Sequence, residues 1–220
     1  ENYDTLHSFA KKIDKQSKPR KKLNLIDSQQ KLHLRSSAAK NIYSNFANSV
    51  VFIGNYDTES IGTGFLVHRS GLIVTNWHVT NKADTVGVWI KPKGSLDIKT
   101  LITTQDPYVG TVVVEDMTTD LAIVKVQNLP ANMKVIPFGR DSDVDIGDRV
   151  YAIGHPVGYP WTFTEGIVNQ IRIDHEWVYA DKSKHKATLI QTQTPISPGN
   201  SGGPLFTSNG KLVGVNSLGA

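Results

Sequence analysis

From residue 50 onward the chain is broken into short apolar or alternating runs, at 50–53, 64–67, 72–75, 86–90, 98–102, 109–114 and 121–126, punctuated by Gly, Pro, Asn and Asp. Runs of this length are too short for core-facing helices, and their alternation suits strands that bury one face. After residues 127–137 a second series follows, at 149–153, 162–173, 177–180, 188–194, 205–207 and 212–216. Two successive series of this kind predict an all-β chain whose short strands suit barrel sheets. Closing each sheet removes its exposed edges and leaves the connecting loops free to carry chemistry.

Three strand-end segments carry residues suited to nucleophilic catalysis. Ser197-Pro198-Gly199-Asn200-Ser201-Gly202-Gly203-Pro204 surrounds one serine with turn-forming residues, Thr75-Asn76-Trp77-His78-Val79 closes an apolar run, and Asp120 opens another. A serine hydroxyl is a poor nucleophile at neutral pH and needs a neutral imidazole to take its proton, a role His78 fits. The imidazole needs a carboxylate to hold its tautomer and stabilise the imidazolium, a role Asp120 fits. Ser201 is then the nucleophile. An oxyanion is best met by preorganised backbone amides, each worth about 3 to 4 kcal/mol, and Gly199 and Ser201 are placed to supply two. The chain order is His, Asp, Ser.

Together with Gly62-Thr63-Gly64-Phe65-Leu66-Val67, Leu121-Ala122-Ile123-Val124-Lys125-Val126 and Ala152-Ile153-Gly154-His155-Pro156, these segments resemble the trypsin-like serine proteases of the HtrA (Deg) family. The resemblance runs from about Ala38 to Ala220. It implies a chymotrypsin-like double antiparallel β-barrel with the active site between the barrels. The first would span about 48–126 and the second about 138–220, without its last strand. It also implies hydrolysis of peptide bonds in unfolded or misfolded proteins, a possible homotrimer, and a periplasmic or cell-envelope setting. Members of the family continue beyond the position of Ala220 through a last strand, a helix and often PDZ domains, so the sequence reads as a protease domain without its PDZ domain.

The N-terminal 36 residues hold few apolar positions and carry a basic run, Lys11 to Lys22, with seven basic residues against Asp14. Because the whole chain has a net charge of +4, the rest outside that run is mildly acidic. The run lacks interleaved aromatics and an amphipathic face, so it reads as a solvated arm rather than a nucleic-acid-binding element. At Ser36 and Ser37 a cap-like pair precedes Ala38, Ile42, Tyr43 and Phe46 at helical spacing, which predicts a short helix packed on the first barrel. No run of eighteen apolar residues occurs, so no membrane-spanning helix is expected. The chain has no cysteine, which removes disulfides and thiol catalysis. His68, His155 and His185 lack metal-ligand spacing, and His155 reads as a turn residue. No metal or cofactor is expected.

Digestive relatives carry an aspartate just before the nucleophile, which pairs with a newly cut N-terminus; here that position is Asn200. An amide cannot make that ion pair, so activation by zymogen cleavage of that type is not expected. The resemblance implies instead that loops at 159–163 and 183–186 arrange residues 197–200. It places Pro195 at the base of the specificity pocket, with no carboxylate there, and so favours aliphatic, small-to-medium residues before the scissile bond. Ser217, Leu218 and Gly219 would run beside the substrate backbone as an added strand. The competing reading is a catalytically silent trypsin-like scaffold that binds unfolded chains as a chaperone or adaptor.

Overall fold

The computed structural model describes residues 37–94, 97–156 and 159–217. The basic run, the pair 218–219 and the rest of the N-terminal extension lie outside them.

Six strands form the first sheet: β1 (Val50–Asn55), β2 (Ser60–His68), β3 (Leu72–Thr75), β4 (Thr85–Trp89), β5 (Tyr108–Asp116) and β6 (Leu121–Val126). They close into a barrel in the order β1-β2-β3-β6-β5-β4, every pairing antiparallel. In β6 the side chains of Ala122, Val124 and Val126 are buried in strict alternation, as a pleated strand with one face inward requires. Val124 and Val126 meet Val51, Ile53, Leu66 and Ile73 to fill the barrel.

The second sheet takes β7 (Arg149–Gly154), β8 (Thr162–Val178), β9 (Lys184–Thr192), β10 (Pro204–Thr207) and β11 (Leu212–Val215), in the order β11-β10-β7-β8-β9. Among the described residues it has five strands, and the resemblance implied a second barrel without its last strand. The runs at 162–173 and 177–180 are one long strand through Val178, whose register against β9 shifts between Val168 and Gln170 and again between Arg172 and His175. Irregularities of this kind let one strand absorb a strong twist without breaking.

Among the described residues, three α-helical segments accompany the sheets: α1 (residues 37–46), α2 (Trp77–Thr80) and α3 (Ile98–Thr104). The stretch 98–102, expected as a strand, is a helix. Asp97 caps it by accepting from the Thr100 amide at 2.9 Å, and Ile98 and Leu101 are buried one turn apart. Cap chemistry and an i, i+3 apolar pair therefore outweigh the β-branched character of the segment. α1 is also placed differently from expectation. Its apolar stripe turns toward the second sheet, where Phe46 stacks on Phe206 at 5.4 Å, Tyr43 meets Phe163 edge-on at 6.0 Å, and the Tyr43 hydroxyl donates to the Trp161 carbonyl at 3.1 Å.

The two sheets share one apolar core. Phe52 and Phe65 from the first meet Tyr151, Ile153 and Phe206 from the second. Trp161 fastens the join by donating its indole N–H to the Val50 carbonyl at 2.8 Å. The Thr63 amide donates to the Ser201 carbonyl at 2.8 Å across the same seam, which brings the serine turn against the first barrel. Among the described residues no helix is long and apolar enough to cross a membrane.

Candidate active site

α2 is a single turn ended by Asn81 in a left-handed conformation. The turn sets His78 against the loop that precedes β6. Asp120, the last residue of that loop, has φ +57°, a conformation that Asp tolerates better than bulkier residues. The bend turns its carbonyl and its carboxylate to one segment, residues 76–78. The carbonyl accepts from the Trp77 amide at 3.1 Å and from Asn76 Nδ2 at 2.8 Å. The carboxylate accepts from the His78 backbone amide at 3.0 Å, and His78 Nδ1 lies 2.9 and 3.0 Å from its two oxygens.

Asp120 is fully buried and every one of its acceptors is engaged. Oδ2 also receives the Tyr179 hydroxyl at 2.9 Å and the Ser217 hydroxyl at 3.0 Å, and those two hydroxyls contact each other. An ionised carboxylate with this many donors is stable out of water. Because Asp120 accepts from Nδ1, the proton of neutral His78 sits there and Nε2 is bare. The His78 side chain keeps 28 % of its surface exposed, so the bare nitrogen belongs to the solvent side of the pair.

The serine turn is built by its glycines. Asn200 N–H donates to the Ser197 carbonyl at 3.0 Å, closing a four-residue turn with Pro198 second and Gly199 third. Gly199 has φ +99°, the left-handed value a type II turn requires at that place. Gly202 has φ +83°, and a Cβ there would lie 2.1 Å from the Thr63 carbonyl. Backbone bonds from Gly202 N to Asn216 O and from Asn216 N to Gly203 O, both 2.8 Å, tie the turn to the segment bearing Ser217. Among the described residues, the amides of Gly199 and Ser201 donate to no protein acceptor. Ser201 Oγ is buried and has no partner among them. Catalytic hydrogen bonds are commonly long or unmade in substrate-free sites and tighten on binding.

His155 departs from its reading as a turn residue. It is fully buried at the end of β7 against the ring of Trp161, 4.7 Å away, and that of Phe52, 5.5 Å away. Its Nδ1 lies 2.9 Å from Thr63 Oγ1, which donates to the Gly199 carbonyl at 2.6 Å. The single Thr63 proton is spent on Gly199, so the ring donates and Nδ1 carries its hydrogen. Burial pushes the His155 pKa down to about 3, which keeps it neutral. The 159–163 loop thus reaches the serine turn through Trp161, His155 and Thr63. Residues 183–186 reach the acid instead: His185 Nδ1 lies 2.6 Å from the Met117 carbonyl, and the Lys186 amide donates to Thr118 at 2.7 Å. Asn200 is buried, its side chain packed over Gly154.

Pro195 is exposed just before the serine turn. Ser217 sits at the site through its hydroxyl on Asp120; Leu218 and Gly219 lie outside the described residues. Tyr179, Thr63 and the buried role of His155 were not found from sequence. Tyr179 follows Trp177 in an alternating run and carries no local motif, and its closeness to Asp120 arises only when β8 and β9 pair.

Comparison with known proteins agrees with the two-sheet fold. The model of the trypsin-like peptidase domain matches residues 62–215. The chain belongs to the trypsin-like peptidase family. Within it, the relatives are of the HtrA (Deg) type. A putative serine protease HhoA of Synechocystis sp. is 35 % identical over 155 residues, 70 % of this chain and 36 % of that protein. Protease Do-like 1, chloroplastic, of Arabidopsis thaliana is 29 % identical over 205 residues, 87 % of this chain and 44 % of that protein. A probable periplasmic serine endoprotease DegP-like of Pseudomonas fluorescens is 35 % identical over 161 residues, 73 % and 30 % respectively. The chain therefore spans less than half the length of these HtrA-type relatives. Among solved structures, Deg5 superposes with a TM-score of 0.65 at 29 % identity, covering 83 % of this chain and 85 % of that one. The HtrA-type protease AlgW with a tripeptide gives 0.66 at 29 % identity, covering 81 % and 54 %.

Proposed function

We propose that this HtrA-type domain is a serine endopeptidase in which Ser201 is the nucleophile, His78 the general base and Asp120 the residue that orients it. The observation that carries this reading is the fully buried Asp120 carboxylate bonded to both the backbone and Nδ1 of His78. With Nδ1 committed, Nε2 takes the Ser201 proton as Oγ attacks the scissile carbonyl. The carbonyl oxygen becomes an oxyanion met by the amides of Gly199 and Ser201, which are held in place before the substrate arrives. Imidazolium Nε2 then returns the proton to the departing amine, leaving an acyl group on Ser201. Water deprotonated by the same nitrogen releases the new carboxyl terminus and restores the serine.

Extended polypeptide in an unfolded state suits this reading, because substrate held by backbone pairing makes little demand on sequence. The exposed Pro195 offers no carboxylate, so a basic residue before the scissile bond gains no partner. An envelope setting is supported by the periplasmic names of several relatives, against one that is chloroplastic. Assembly as a homotrimer is part of the same reading, and a sedimentation-equilibrium mass of one chain would end that part of it.

A second reading, a silent scaffold that holds unfolded chains, draws on the unpartnered, buried Ser201 Oγ. One experiment separates the two: cleavage of an unfolded, casein-like substrate and labelling by a serine-reactive phosphonate, for the parent and for Ser201→Ala. Cleavage and labelling that disappear together in the variant establish the endopeptidase. Binding of the unfolded substrate by a parent that neither cleaves nor labels establishes the scaffold.

A further inference from the structure

The long hairpin of β8 and β9 projects from the second sheet, yet its tip ends on the catalytic acid of the first. Tyr179 N–H donates to the Ser183 carbonyl at 3.1 Å and Lys182 N–H donates back to the Tyr179 carbonyl at 2.9 Å, so the tip is a tight, internally bonded turn. It is anchored next to the Asp120 loop at two points. His185 Nδ1 lies 2.6 Å from the Met117 carbonyl, and Lys186 N–H donates to the Thr118 carbonyl at 2.7 Å. The ring of Tyr179 is clamped between histidines, its centroid 4.7 Å from that of His185 and 5.2 Å, edge-on, from that of His78.

Clamped in this way, the Tyr179 hydroxyl reaches Asp120 Oδ2 at 2.9 Å, on the same carboxylate whose other oxygen is fixed by the His78 amide. We propose that Tyr179, carried on the β8–β9 hairpin tip, is a positioning residue that fixes the rotation of the Asp120 carboxylate and, through it, the ring of His78. Donors on both oxygens hold the plane of a carboxylate; on Oδ2 these are the hydroxyls of Tyr179 and Ser217, and Tyr179, in contact with Ser217, sets the place of both. The His78 ring follows that plane, because its Nδ1 spans both oxygens. Burial pushes the Tyr179 phenol up to about 12, with the Asp120 charge acting in the same direction, so the group remains a donor at any pH where the domain works. The inference rests on the endopeptidase reading for its catalytic consequence but not for its geometric one.

The test is Tyr179→Phe, which keeps the ring between the two histidines and removes only the hydroxyl. In peptide hydrolysis kcat falls about tenfold, the size of one lost hydrogen bond to a charged acceptor expressed as rate, while KM is unchanged because the Tyr179 hydroxyl is engaged by Asp120 and Ser217. A structural role alone would lower the melting temperature and leave kcat per phosphonate-titrated site at the parent value. That result, or an equal change in KM and kcat, overturns the proposal. The proton on His78 Nδ1 supplies a readout independent of turnover: by NMR, assigned through its loss in His78→Asn, it exchanges with water several-fold faster in Tyr179→Phe. An unchanged exchange rate overturns the proposal even in an inactive parent, whereas an inactive parent with faster exchange in the variant overturns only the endopeptidase reading.

Discussion

His155 couples the stability of the domain to pH at a point that also bears on the serine turn. Its Nδ1 proton goes to Thr63, and its Nε2 is buried without a partner among the described residues, facing aromatic rings. Protonating Nε2 would place a cation there, so burial depresses the pKa to about 3. In the unfolded chain a histidine titrates near 6.5. Between those two values the unfolded state binds the extra proton and the folded state does not, so stability rises with pH through this window and is lost as pH falls. Lowering the pH from 7 to 5 removes about 2 kcal/mol through this one group. Urea unfolding at both pH values checks it: His155→Gln is less stable at pH 7 but loses less on acidification, and an unchanged pH slope would assign the effect elsewhere. The residue types at His78, Asp120 and Ser201 were legible because each chemical role demands a particular functional group beside turn-forming neighbours. Tyr179 and Thr63 were not, since a tyrosine in a strand or a threonine among glycines has many ordinary uses.

At the level of elements, alternation located most strands within a residue or two, since a half-buried strand must alternate. It misread residues 98–102, where an Asp cap and the pair Ile98 and Leu101 decide for a helix. The same local reasoning found α1 but assigned it to the first barrel. An apolar stripe says that a helix face is covered and nothing about what covers it. The stripe does carry measurable weight. Ile42 is 3 % exposed within the shared core, so Ile42→Ala costs about 2 to 4 kcal/mol, read as a lower urea midpoint with an unchanged m-value. A changed m-value would mean that α1 detaches as a unit of its own.

At the scale of the whole molecule, the two sheets hold the chemistry between them because the seam is both apolar and hydrogen-bonded. Trp161 occupies it, with its ring on His155 and its N–H on the Val50 carbonyl. Trp161→Phe removes the donor and part of the ring, at a cost of about 1 to 2 kcal/mol. Because His155 then loses a wall, phosphonate labelling of Ser201 slows as well; labelling at the parent rate in a destabilised variant would show that the seam and the serine turn are independent. The sequence by itself determined the all-β class, the family, and the three residue types on which the proposed reaction rests. These are properties of residue type, order and short-range periodicity, which survive without coordinates. Only the tertiary structure decided which proton sits on which nitrogen, that His155 braces the serine turn, that a hairpin of the second sheet reaches the acid of the first, and where α1 lies. Each depends on contacts between segments tens of residues apart, and no local pattern encodes which distant partner a buried polar group will meet.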